Sequence, residues 1–151
     1  MKKIFWLVPL LLFLSACSTA PAIGDAFEGS VNDYEGVTMT IVEGTARPGT
    51  VSVEVLNTTE AEICSGNAAD FGLQIEQDGQ WYWLETKKKE YANTSEALVY
   101  LKDEPHELTF TWGSIYGSLE PGHYRVTKWF FEFVEPGEHL DFLLVSEFTL
   151  E

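Results

Sequence analysis

Past Gly36 the chain alternates apolar and polar residues with a period of two. Val37, Met39 and Ile41 interleave with threonines, and Val51, Val53 and Val55 with Ser52 and Glu54. Successive side chains of an extended strand point to opposite faces, so each run has one face to bury. Residues 71–77 and 80–85 flank Asp78-Gly79, a pair whose tolerance of positive φ suits a two-residue hairpin. Residues 97–101 and 107–112 read as two short strands. Pro121-Gly122 then turns the chain into residues 123–133, and Pro136-Gly137 turns it again. In the last run Leu140, Phe142, Leu144, Phe148 and Leu150 share one face, with Asp141, Glu147 and Glu151 opposite. No stretch holds an apolar i, i+3, i+4, i+7 pattern long enough for a helix. Seven or eight short strands joined by tight turns predict an all-β antiparallel sandwich.

The N-terminus follows another pattern. Lys2 and Lys3 precede an apolar run from Ile4 to Phe13, which is short of the ~20 residues a bilayer span needs and contains Pro9. Leu14-Ser15-Ala16-Cys17 comes next and resembles the lipobox of bacterial lipoproteins, where the Cys is acylated and the preceding residues are removed. An ordinary signal peptide cut near Ala16 or Ala20, or an uncut anchor, are the alternatives. The expected organisation is a signal peptide over residues 1–16, lipidated Cys17 with a flexible tether to residue 36, and a β domain over 37–151. Residues 18–36 are mostly small and polar, and 19 residues of flexible coil span roughly 24 Å. The expected location is the extracytoplasmic side of a bacterial membrane, held through lipid on Cys17.

Charge narrows the partners. Loss of Lys2 and Lys3 leaves seven basic against 24 acidic residues, a formal charge of −17. Such a surface repels nucleic acid and anionic lipid head groups. With Cys17 committed to lipid, Cys64 has no partner for an intramolecular disulfide, and no neighbouring His activates it. A buried, inert thiol is expected.

Leu119-Glu120-Pro121-Gly122-His123-Tyr124 places a Tyr just inside a late strand after a Pro-Gly turn, as in the tyrosine corner of immunoglobulin-like sandwiches. Together with Phe71-Gly72-Leu73-Gln74-Ile75-Glu76 leading to Trp81, with residues 112–128, and with the closing Glu147-Phe148-Thr149-Leu150, this resembles the bacterial immunoglobulin-like domains of secreted proteins and lipoproteins. The resemblance covers nearly all of residues 37–151. It implies an immunoglobulin-like antiparallel β-sandwich that serves as a binding or structural module, with no shared catalytic residues. Phe71 stands where a Tyr is more typical.

Candidate chemistry is sparse. His106, His123 and His139 lie beside turns at no metal-ligand spacing, and no D-x-D-x-D-G loop occurs. No metal, cofactor or catalytic group is therefore expected. Glu132, Glu135, Glu138 and Asp141 cluster around one turn. A glycosidase would need two such carboxylates in unlike environments, and a solvated acidic loop is the simpler reading. Lys87-Lys88-Lys89 reads as a loop tip. The aromatics carry more. Trp81-Tyr82-Trp83 and Trp129-Phe130-Phe131-Glu132-Phe133 put rings on both faces of their strands. If one face is left bare, Trp83 and Trp129 are the candidate contacts for a protein or glycan partner. The rival function is protease inhibition, with residues 65–70 or 86–95 as the inserting loops.

Overall fold

A computed structural model of the chain describes residues 20–87 and 96–151. Cys17, the apolar run before it, Lys88, Lys89 and most of the 86–95 loop lie outside the described residues. Ten strands form: β1 (Ile23–Ala26), β2 (Val37–Ile41), β3 (Thr50–Asn57), β4 (Ile63–Ser65), β5 (Gly72–Gln77), β6 (Gln80–Leu84), β7 (Leu98–Tyr100), β8 (His106–Thr111), β9 (Gly122–Glu135) and β10 (Glu138–Leu150). No helix occurs among the described residues.

The strands make two antiparallel sheets, one of seven strands and one of three in the order β2-β3-β8. This is the sandwich that the alternation predicts. In the larger sheet β9 is the spine. All of it pairs with β10 on one side, and on the other side it pairs first with β5 and then with β4. β6 and β1 continue outward from β5, and β7 from β4. The Asp78-Gly79 turn between β5 and β6 has φ of 52° and 79°, as a two-residue hairpin requires.

The core lies where the inner faces meet. Val51, Val53, Val55, Leu108 and Phe110 from the small sheet pack against Leu73, Tyr124, Val126, Phe130, Phe142 and Leu144 from the large one. Trp112 is fully buried, and its indole N–H donates to the Pro48 carbonyl at 2.9 Å. The Tyr124 hydroxyl donates to the Glu120 carbonyl at 2.8 Å, so the tyrosine corner forms and pins the turn into β9.

Two strands exceed the eight read from the pattern. β4 is three residues long, too short to show a period. β1 lies inside residues 17–36, which were expected to be a free tether, and here the structure corrects the sequence reading. Ile23 and Ala26 pair with Leu84 and Tyr82 of β6. Beyond β1 the Phe27 N–H donates to the Trp81 carbonyl, and Asn32 reaches the far edge of β10. There its backbone N–H donates to Leu143, its side-chain amide donates to Val145, and its side-chain oxygen accepts from the Val145 N–H. Tyr34 then stacks on Phe142 with ring centres 4.1 Å apart and donates to Glu132. Residues 23–32 are a strap that runs from the β6 edge across the outer face of the large sheet to β10, and Tyr34 then turns under that edge to the inner face, where Phe142 and Glu132 lie. Phe27 and Tyr34 supply the apolar anchors that a true linker lacks, whereas Ile23 stays exposed at the β6 edge.

Candidate aromatic cleft on the outer sheet face

The outer face carries the odd-numbered residues of β9: His123, Arg125, Thr127, Trp129, Phe131 and Phe133. The strap covers one half of it. Arg125 is buried there with its guanidinium 5.0 Å from the Phe27 ring centre and 4.3 Å from that of Trp81, a cation–π sandwich. Its Nε donates to the Gln74 side-chain oxygen at 2.6 Å, while Gln74 Nε2 and Arg125 Nη2 meet no acceptor among the described residues. Burial lowers the Arg125 pKa, against the opposing pull of Glu147. The other half is bare. Trp129 is 56 % exposed, and Phe133 on β9, Val99 on β7 and Leu101 just after β7 are exposed as well.

A cleft of about 180 Å³ opens at the border of the two halves, lined by Asp70, Phe71, Gly72, Trp83, Thr127, Lys128 and Trp129. Strand pairing explains its position. β5 pairs with β9 as far as Thr127, and β4 takes over at Phe130. Between them residues 66–71 leave the sheet, so Lys128 and Trp129 face a gap in the partner edge. Trp83 lies against the cleft floor because Gly72 has no side chain. A Cβ there would stand 2.7 Å from the indole Cζ3 and 2.6 Å from Thr127 Oγ1, so any other residue displaces the ring. Phe27 meets Trp83 edge-on, with ring centres 5.7 Å apart.

Lys128 fastens the loop that forms one wall. Its side chain enters from the core side, and its ammonium donates to the Asn67 and Asp70 carbonyls at 2.8 and 2.7 Å. Burial pushes its pKa down to about 8, partly offset by the Asp70 carboxylate. The structure thus brings Trp83 and Trp129 to one cleft, although Trp83 is half-buried and only Trp129 is openly exposed. Gly72, Asp70, Thr127 and Lys128 are additions that the sequence reading missed. An isolated Gly within the strand pattern, beside Phe71, was the available sign of a close approach.

The remaining candidates separate. Glu132 shares the inner face of β9 with Phe130, whereas Asp141 pairs with Phe131 on the outer face, so they do not flank a common bond. Glu135, Glu138 and Asp141 are exposed along the β9–β10 hairpin. His123 is the second residue of β9, just past the Pro121-Gly122 turn, with Nδ1 2.7 Å from Glu76 and Nε2 3.1 Å from Glu147. His106 opens β8 edge-on to Tyr100, and His139 is 3.4 Å from Asp141. Among the described residues no three of His, Cys, Asp or Glu gather as metal ligands, and no helix is long and apolar enough to cross a membrane. Cys64 is free and buried, its thiol pKa raised by burial and by Glu62.

A family model described as a bacterial Ig-like domain matches residues 33–149. The chain belongs to that family. Neither a curated protein nor a solved structure matches it significantly. The match begins at residue 33, so β1 and Phe27 precede the matched span, whereas every residue of the cleft falls within it. Domains of this family are generally non-catalytic binding or structural modules of extracellular or surface proteins.

Proposed function

We propose that the protein is a lipid-anchored extracytoplasmic binding module that takes its partner in the Trp83–Trp129 cleft. The carrying observation is the convergence of these two indoles, from strands far apart in sequence, on one cleft that also holds a carboxylate at Asp70. Large rings presented on a rigid sheet bind with little loss of side-chain freedom. The anchor is Cys17, and two acyl chains give a stable attachment where one does not. Because Ala20 already lines a cavity against β5 and β9, only Ser18 and Thr19 separate Cys17 from the folded body. Three peptide steps reach about 10 Å, so the module stands close to the bilayer.

Two measurements test the reading. Metabolic labelling with a fatty acid should mark the wild-type chain and the Cys64→Ser variant but not Cys17→Ser; label that survives in Cys17→Ser refutes the anchor. Binding of the purified chain to isolated cell envelopes should be saturable and should drop in Trp129→Ala. Equal retention of both proteins would remove the cleft as the binding site. Protease inhibition remains the second reading for the 65–70 loop. Lys128 holds that loop from beneath through two of its carbonyls, which favours it as a wall of the cleft.

A further inference from the structure

We infer that the ligand of the cleft is a single uncharged sugar ring within a neutral glycan; this rests on the reading of the cleft as the binding site. Size comes first. At about 180 Å³ the cleft falls below the roughly 300–1,000 Å³ of sites that take drug-sized ligands, which suits one small ring better than a peptide segment or a nucleotide. Small as it is, the cleft has indoles on two sides. Trp129 presents more than half of its surface, and Trp83 lies down on the floor that Gly72 leaves open. A pyranose has an axial C–H face that packs on such rings and an equatorial rim of hydroxyls that needs polar partners.

Polar groups stand at the rim. Among the described residues, Asp70 and Thr127 are the polar, uncommitted side chains of the lining, and a carboxylate such as that of Asp70 accepts from two adjacent hydroxyls once turned to them. Lys128 cannot serve an anionic ligand, because its ammonium is committed to the Asn67 and Asp70 carbonyls on the inner side. The other basic group of this face, Arg125, is sealed under Phe27. With a carboxylate in the cleft and a formal charge of −17 on the chain after the signal, uronic acids, sulfated sugars and phosphates are repelled. A proline-rich peptide also favours aromatic grooves, but it needs a groove several residues long.

The test is affinity electrophoresis of the full chain in native gels containing neutral polysaccharides (glucans, mannans, galactans, chitin fragments), followed by calorimetry with the retarding oligosaccharide. Retardation by at least one neutral glycan is expected, with at least about a tenfold loss of affinity in Trp129→Ala. Gly72→Ala should weaken binding as well by lifting Trp83, and Asp70→Asn should weaken it less. An unchanged thermal midpoint in Trp129→Ala shows that the loss is not unfolding. Retardation only by anionic polysaccharides, or binding indifferent to Trp129, overturns the inference. If envelope binding depends on Trp129 but no neutral glycan competes with it, the cleft reading stands and the sugar is wrong. Absence of both kinds of binding overturns both.

Discussion

The two halves of the outer sheet face are built from similar residues and meet opposite fates. Over β5, β6 and the first part of β9, the strap lays Phe27 on Trp83 and Arg125, and Leu143 and Val145 of β10 are buried where Asn32 clips to their backbone. Over the later part of β9 and over β7, Trp129, Phe133, Val99 and Leu101 stay in solvent. Covering one half removes apolar area from water at about 25 cal/mol per Å² and makes that half part of the fold. Leaving the other half bare forgoes that stabilisation. That exposed apolar area is the surface on which the proposed binding reading depends. The cleft lies on the border, with one indole held by the covered half and the other free.

Substitutions on either side of the border sharpen this contrast. The largest effect belongs to the strap. Phe27→Ala should cost about 2–3 kcal/mol in urea denaturation, since it removes a ring packed on Trp83 and Arg125 and uncovers the guanidinium. A loss below about 0.5 kcal/mol would mean that the strap is ornamental.

Lys128 comes next, with an effect of about 1–3 kcal/mol for Lys128→Met, which strands the Asp70 carbonyl and leaves that of Asn67 with the Asp70 N–H alone. It also sets a pH dependence. The folded chain releases the Lys128 proton near pH 8, the unfolded chain near 10.5. Between those values the unfolded chain binds more protons, so stability rises with pH. Tyr34 and Tyr100, whose pKa values burial pushes up to about 12, act the opposite way above 10, where the unfolded chain loses protons that the folded chain keeps. The raised Cys64 thiol opposes this from about pH 9, so the urea midpoint should climb from pH 8, flatten, and fall above about 10. In Lys128→Met the climb should vanish, and its persistence would assign it to another group.

The Gln74–Arg125 pair should be nearly neutral. Each partner leaves one nitrogen unpaired in a buried site, so the double replacement Gln74→Leu with Arg125→Met should change stability by no more than about 1 kcal/mol, and towards stabilisation if at all. Arg125→Met alone should be worse than the double variant, because it strands the Gln74 oxygen. Smallest of all, Trp129→Ala and Phe133→Ser should stay within about 0.5 kcal/mol of wild type. A costly Trp129→Ala would mean that the bare half is structural after all.

Eight of the ten strands, the hairpin at Asp78-Gly79 and the corner at Tyr124 were legible along the chain, because alternation and turn chemistry act between near neighbours. Sequence also determined the lipobox-like end at Cys17 and the acidic balance. The strap was not legible. Phe27 and Tyr34 are too far apart to show a period, and the rings they pack on, Trp83 and Phe142, are on strands far along the chain. Nor was the cleft, since no local rule states that β9 exchanges β5 for β4 between Thr127 and Phe130 and leaves a gap beside Trp129. The pattern named Trp83 and Trp129 as candidates; only the register of β5, β6 and β9 decided that both reach one cleft, because register sets which distant side chains share a face.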